Sequence, residues 1–416
     1  MVRAVTTSAT PSKDPAPDVQ AADVLPPDVP VPDVLAPATL GPLRLRNRVI
    51  KSATFEGATP DALVTDQLIA YHRAPAAGGV GMTTVAYLAV SPEGRTERRQ
   101  IHWRPEAVPG LRRLTDAVHA EGAAVAAQIG HAGPVADAKS NRATALSCSP
   151  MLSPLSFRRT RAATAADIER ITADHARAAR LAVESGFDSV EIHLGHNYFA
   201  SAFLSPRLNK RDDEYGGPLA NRAKVALGLA RAVRDEVGDR IAVTAKLNME
   251  DGYPGGLRIE DSLQVARWLQ EDGTLDALEL TAGSSLMNPM YLFTGDVPLR
   301  EFAAQFPPLP RLGIRMFGKK FLRAYPYQDT YLMERAQRFR AELDLPLILL
   351  GGITTRATMD RAMAAGFQYV AMARALLREP DLVNRIAADA ATPSLCIHCN
   401  RCMPTIYSGT RCPEIG

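Results

Sequence analysis

The chain of 416 residues carries 48 Lys and Arg against 45 Asp and Glu, a formal charge of +3, with 46% hydrophobic and 22% charged residues. A balance this small and evenly spread excludes the electrostatic footprint of a nucleic-acid or anionic-membrane partner, and no apolar run approaches the ~18 residues of a bilayer span. The length allows one large domain or two ordinary ones, and the N-terminus lacks the basic and apolar regions of a secretory signal, so a cytoplasmic protein is expected.

Residues 1–34 are rich in Pro, Ala, Asp and Val, with Pro-Asp-Val beginning at Pro17, Pro27 and Pro32. Proline at this density favours extended, solvated backbone, so this stretch reads as a disordered arm. From residue 35 to about 390, short apolar runs alternate with helical patterns. The predicted strands are Val49–Ser52, Gly81–Tyr87, Ala123–Ile129, Ser189–His193, Ile241–Leu247, Ala277–Leu280, Leu347–Leu350 and Tyr369–Met372. Most are nearly continuous apolar runs, as strands buried on both faces require. The clearest helix starts at the capping pair Thr164/Asp167, runs through Ile168, Ile171, Ala178 and Leu181, and stops at Gly186. Others are predicted over Pro105–Glu121, Pro218–Val237, Ile259–Asp272, Thr330–Leu343, Thr355–Ala365 and Arg374–Ala388. Repeated βα units of this kind predict an α/β fold, a closed (β/α)₈ TIM barrel. The competing open, doubly wound sheet lacks its early strand–Gly-x-Gly-x-x-Gly–helix unit.

Barrel chemistry sits at the C-terminal ends of the strands. Those ends carry Ser52, Ala53 and Thr54, then Tyr87, Gln128, Lys246, Gly351-Gly352 and Ala373-Arg374. Small residues after strands seven and eight, beside a guanidinium, suit a phosphate. Gln128 and Lys246 are single polar groups ending apolar strands, and suit the edge of a planar heterocycle. After the fourth strand come His193, His196 and Tyr198. A packed core has no use for three polar rings at one strand end, because each needs a buried partner. Singly, His193 and Tyr198 could be satisfied structural polars and His196 a solvated one; together they read as catalytic.

The connection from Leu286 to Tyr331 is long for a βα loop and rich in aromatics, among them Phe302, Phe306, Phe317 and Phe321, with Lys319, Lys320 and Arg323 interleaved. Its expected use is a lid or a subunit contact, and with the latter a homo-oligomer; a membrane-surface segment ranks lower. The segment 391–416 holds Cys396, Cys399, Cys402 and Cys412, followed by Pro413. Four crowded cysteines are ligand-like, and a structural zinc or unligated thiols are the alternatives to a metal cluster.

These motifs resemble the Old Yellow Enzyme family of FMN-dependent NAD(P)H:flavin oxidoreductases and ene-reductases. The likeness runs from about Leu35 to Ile386 on LGPLRLRNRV, AAQIGHAG, EIHLGHNYFASAFLSPRLNKRDDEYGGPLANR, KLNMEDGYPGG, LGGITT and VAMARALLREPDL. The resemblance implies FMN, with NAD(P)H as hydride donor. It implies that Ser52, Ala53 and Thr54 line the flavin ring, Gln128 meets its pyrimidine edge, and Lys246 lies near N1/O2. Gly351, Gly352, Ala373 and Arg374 would hold the phosphate. His193 and His196 would bind the carbonyl of an electron-poor alkene, and Tyr198 would donate the proton. Lysine stands at position 246 where the family commonly has arginine, which keeps the charge without the bidentate fork. Phe55 and Tyr87 replace small residues at the pocket, and neither Glu56 nor Gly57 supplies the tyrosine that some relatives place beside the substrate. The cysteine segment resembles the iron–sulfur segment of dienoyl-CoA reductase and trimethylamine dehydrogenase relatives, with a shorter spacing before Cys412. It implies an oxidative or cluster-bearing alternative; a flavin-binding barrel without turnover is a third reading.

Overall fold

The computed structural model describes residues 30–306 and 308–415. Most of the predicted N-terminal arm lies outside the described residues. Its last part, however, is already folded: Val34 is fully buried, and its carbonyl accepts the Arg48 N–H at 2.9 Å.

Eight parallel strands close into a barrel: β1 Val49–Lys51, β2 Met82–Ala89, β3 Ala124–Gly130, β4 Ser189–Leu194, β5 Ala242–Asn248, β6 Ala277–Thr281, β7 Leu347–Leu350 and β8 Tyr369–Met372. Each pairs with its sequence neighbours, and β8 returns to β1 through Val370 opposite Val49. All eight lie within two residues of the predicted runs, because burial on both faces leaves an uninterrupted apolar signature. The capping box at Thr164 and Asp167 opens the helix Ala165–Glu184 as predicted.

Several features escaped the pattern, three of which bear on the barrel. A hairpin, Ala38–Leu40 with Leu43–Leu45, covers the N-terminal mouth of the barrel. Its Leu40 and Leu45 pack on Ile50, Met82, Ala124 and Tyr369, and the Tyr369 hydroxyl donates to the Thr39 carbonyl at 2.6 Å. The helix Asp66–Ala77 follows β1, capped by the Thr65 side chain; Pro75 in its last turn masks it in the sequence. The helix predicted over Arg374–Ala388 is two, Arg374–Arg378 and Leu382–Ala388, interrupted at Pro380.

The connection after β6 folds into short helices, Met290–Phe293, Leu299–Ala304 and Pro308–Phe321; the Phe317 and Lys320 side chains lie outside what is described. The cysteine segment packs on it. Met403 joins Met290 and Leu322 in an apolar cluster edged by Phe293, Phe302 and Tyr325. The His398 ring stacks on Tyr327 at 3.3 Å between centroids. The insertion and the tail thus support one another at the rim. No helix among the described residues is long and apolar enough to cross a membrane.

Candidate active site

β4 delivers the ring cluster. His193 and His196 lie 5.1 Å apart between ring centroids, and Tyr198 stands edge-on to His193 at 4.5 Å. The sharp turn that gathers them places His196 and Asn197 at φ of +58° each, a left-handed conformation costly for residues with a Cβ. Buried hydrogen bonds hold it there. The His196 N–H donates to Asn248 Oδ1 at 3.0 Å, and Asn197 Nδ2 donates to Asp251 Oδ1 at 3.1 Å. Tyr253 donates to Asn197 Oδ1 at 3.1 Å. His196 Nε2 meets the Thr281 hydroxyl at 3.1 Å, while the buried His193 Nδ1 has no protein partner. Burial, then the charges of His196 and Lys246, holds the His193 imidazolium well below the usual range; burial, then Lys246, lowers His196 to about 3. Both rings are neutral near pH 7 and can donate an N–H. Burial raises the Tyr198 phenol, which keeps its proton.

Tyr87 forms the wall beside these rings. It lies 5.4 Å from Tyr198, T-shaped, and its hydroxyl donates to the Gly94 carbonyl at 2.5 Å.

Below the rings lies a buried charged layer that sequence reasoning only half anticipated. Lys246 Nζ is 3.1 Å from Glu191 Oε1 and 3.1 Å from Glu279 Oε1, and donates to the Ser52 hydroxyl at 3.2 Å. Gln128 Nε2 donates to Glu191 Oε1 at 2.7 Å, and Ser52 donates to Glu279 Oε1 at 2.8 Å. Lys246 is therefore no free cation. Burial opposes its charge, but the two glutamates outweigh burial and raise its pKa. Burial also raises Glu279, to about 7, and its Oε2 is buried without a partner. Glu191 and Glu279 were missed because each is one acid inside an apolar strand. Strand parity carried the signal, since Glu191 and His193 share a face of β4.

The phosphate-type residues also converge. Gly351, Gly352, Ala373 and Arg374 line one cavity, together with Tyr331 and Thr354. Gly352 has φ of +75°, and a Cβ there would stand 2.5 Å from the Thr330 nitrogen, so only glycine fits. Arg374 also makes structural bonds. Its Nη1 donates to the carbonyls of Phe293 at 2.6 Å and Thr294 at 2.9 Å, and it also bonds the Asn400 side chain. It ties insertion and tail to the barrel. Ala53 packs beside Tyr87 and Tyr198, and the Thr54 hydroxyl donates to the Ser52 carbonyl at 3.2 Å. The Phe55 carbonyl accepts the Thr410 hydroxyl of the tail.

The sequence pattern of the NADH:flavin oxidoreductase / NADH oxidase family matches residues 33–284. The chain belongs to this family. It is 53% identical over 349 residues to the 4,4'-dithiodibutanoate disulfide reductase of Rhodococcus erythropolis, covering 84% of this chain and 87% of that one. Its fold matches a 2-naphthoyl-CoA reductase at a TM-score of 0.76 and 23% identity, over 91% of this chain but only 56% of that larger one. It also matches the Old Yellow Enzyme homologue from Zymomonas mobilis, at a TM-score of 0.69 and 22% identity over 92% and 98% of the two chains. The Old Yellow Enzyme resemblance thus stands: the protein is an oxidoreductase that uses FMN and NAD(P)H. The cavity lined by Gly351, Gly352, Ala373 and Arg374, with small residues and a guanidinium, fits the cofactor's phosphate.

Cys396, Cys399, Cys402 and Cys412 all line one cavity, beside Arg374, Arg378 and Asn400. Among the described residues no three His, Cys, Asp or Glu side chains stand close enough together to hold a single metal ion.

Proposed function

We propose that the protein reduces electron-poor alkenes such as α,β-unsaturated carbonyl compounds. The observation that carries this reading is the trio of neutral, mutually packed rings of His193, His196 and Tyr198 above the Lys246 layer. FMN, when bound, supplies the hydride chemistry. Each neutral imidazole can present one N–H to the substrate, and His196 Nε2 also meets the Thr281 hydroxyl at 3.1 Å. Two such donors hold a carbonyl oxygen and stabilise the enolate charge that develops on it. Tyr198, protonated at neutral pH, delivers a proton to the adjacent carbon. Ser52, Ala53, Thr54, Tyr87, Gln128 and Lys246 line the flavin ring, and Gly351, Gly352, Ala373 and Arg374 hold its phosphate. The test separates the half-reactions. Tyr198→Phe should slow alkene reduction while flavin reduction by NAD(P)H stays nearly intact; equal loss in both contradicts the role.

The identity to a disulfide reductase favours a second reading at the same rings. Hydride addition to one sulfur of a small organic disulfide breaks the S–S bond, giving one thiol and one thiolate, and Tyr198 protonates the thiolate. Product analysis with 2-cyclohexenone and 4,4'-dithiodibutanoate decides between them. The shared cavity of the four cysteines supports a further element, an iron–sulfur cluster held by Cys396, Cys399, Cys402 and Cys412 for single-electron transfer. Iron and labile-sulfide analysis of anaerobically purified protein tests it, and absence of iron removes it.

A further inference from the structure

The loop after β2, SPEGRTERRQIHWRPE, crowds four arginines and one histidine at the same end of the barrel as the rings. Of its three carboxylates, one pairs outside the loop and two pair within it. Glu93 pairs with Arg170 at 2.8 Å and Glu97 with Arg99 at 3.1 Å, while the largely exposed Glu106 stands 3.8 Å from Arg104. Among the described residues no carboxylate lies within ion-pair distance of Arg95 or Arg98. Arg95 is nevertheless half-buried, its Nε donating to the Pro92 carbonyl at 2.8 Å and its Nη1 to the Arg98 carbonyl at 2.6 Å. Arg104 is anchored by the Ala62 carbonyl at 3.0 Å and by His102 Nδ1 at 3.0 Å. Burial first, then Arg104 and Arg98, lowers Arg95, with Glu97 and Glu93 offsetting only part of it, and burial, then Arg104 and Arg95, pushes His102 down to about 4 and keeps it neutral. Like charges gathered in a partly desolvated place are unfavourable until an anion joins them.

The loop is coupled to the ring cluster. Tyr87, which packs on Tyr198, donates to the carbonyl of Gly94, the residue before Arg95. The helix Ala138–Asn141 packs on the other side, with Asn141 Nδ2 donating to the Arg95 carbonyl at 2.7 Å and Ser140 accepting the Arg98 N–H at 2.9 Å. Ala138, Ala53 and Tyr198 are the partly exposed edge of one apolar cluster around Tyr87. Ala53 and Ala138 thus leave an apolar edge open beside the ring cluster, and the loop that carries Arg95 bonds to the helix that begins at Ala138.

We propose that Arg95, with Arg104 beside it, is a binding site for a terminal carboxylate on the substrate, so that the enzyme selects acidic, chain-bearing compounds over neutral ones. This rests on the reactive end of the substrate lying at His193, His196 and Tyr198. A guanidinium presents a planar fork that matches a carboxylate and cannot lose its charge. The site fixes one end of the molecule and the histidines the other, which restricts the reacting bond to one orientation.

The experiment titrates oxidised holoenzyme and follows perturbation of the flavin spectrum, with no turnover needed. The probes are a linear enone carrying a carboxylate four carbons from the carbonyl, and its methyl ester. The acid should bind on the order of 10- to 100-fold more tightly than the ester, as expected for a charge-assisted hydrogen bond, and the preference should shrink as salt rises. In Arg95→Met the acid-to-ester ratio should fall towards one, and Arg95→Lys should recover part of it. Equal affinity of acid and ester in the unmodified protein overturns the proposal, as does an unchanged ratio in Arg95→Met. Loss of NADPH affinity relative to NADH with the acid-to-ester ratio intact also overturns it, assigning the arginines to the 2'-phosphate. If the acid perturbs the flavin yet neither probe is reduced, the anion site stands and the alkene reading falls.

Discussion

His193, His196 and Tyr198 come from one short stretch at the end of β4, whereas Cys396, Cys399, Cys402 and Cys412 belong to a tail that rests on the insertion and on loops at the barrel rim, with Thr410 bonding Phe55 and Asn400 bonding Arg374. The rings are oriented by barrel strands: Asn248 of β5 and Thr281 of β6 each bond His196. The tail is oriented by Asn400, whose Nδ2 donates to the carbonyls of Phe293, Thr294 and Asp296 at 3.1, 3.2 and 2.9 Å, all in the insertion. The first cluster inherits the rigidity of the sheet. The second depends on two irregular segments holding each other, with Arg374 as the tie. Chemistry at the rings should therefore survive damage to the tail, while integrity of the tail should be sensitive to single polar contacts.

The strongest way to break the comparison is from below the rings. Lys246→Met leaves Glu191 and Glu279 buried without their cation and should cost about 3–5 kcal/mol of stability. Chemical unfolding measures this, and a loss under 1 kcal/mol would contradict the paired arrangement. Next comes His196→Ala, which removes one oxygen-binding donor and should lower substrate reduction on the order of 10²–10³-fold. Rapid-kinetic measurement of each half-reaction checks that the loss is confined to the substrate step. The histidines also carry a pH signature. Burial, then Lys246, holds His196 at about 3 in the folded state, against 6.5 for the ordinary ring. The unfolded chain thus binds the proton first, and stability falls as pH drops from about 6.5 towards 3. His196→Asn should shift the acid-unfolding midpoint to lower pH.

A smaller effect is expected at the tail. Asn400→Ala removes one side chain from three carbonyls and should cost about 1–3 kcal/mol locally. Limited proteolysis should then cut the insertion faster while the rings still turn over; unchanged protection would separate insertion from tail. Smallest of all is Asp167→Asn, on a helix N-terminus remote from both clusters, where the capping box is worth ~1 kcal/mol. The hydrogen bond from Arg161 leads the causes that hold Asp167 below its ordinary range, so this contribution is present at neutral pH and fades in acid. A thermal melt at two pH values reads it.

Much of the barrel was legible because β7, LILL, is apolar along its whole length and β3, AVAAQIG, is broken by one polar residue, which is what burial on both faces demands. The rings were legible because polar aromatics at a strand end have no place in a core. The helix Asp66–Ala77 was not, since Pro75 interrupts its pattern although it harms only the last turn. Glu191 and Glu279 were not, because a lone acid in an apolar run does not say which neighbour neutralises it. That partner is set by register across strands, and Glu279 lies opposite Lys246 on β5.

By itself, then, the sequence determined the barrel, the family and the strand end that carries the rings, since these follow from local periodicity and from residue types close together in the chain. Tertiary structure alone decided that Lys246 is sandwiched between two glutamates, that Arg374 binds the insertion to the tail, and that no carboxylate among the described residues reaches the half-buried Arg95. Each of those depends on groups far apart in the chain, brought together by barrel closure, where a pairing exists only once the strands have taken their register.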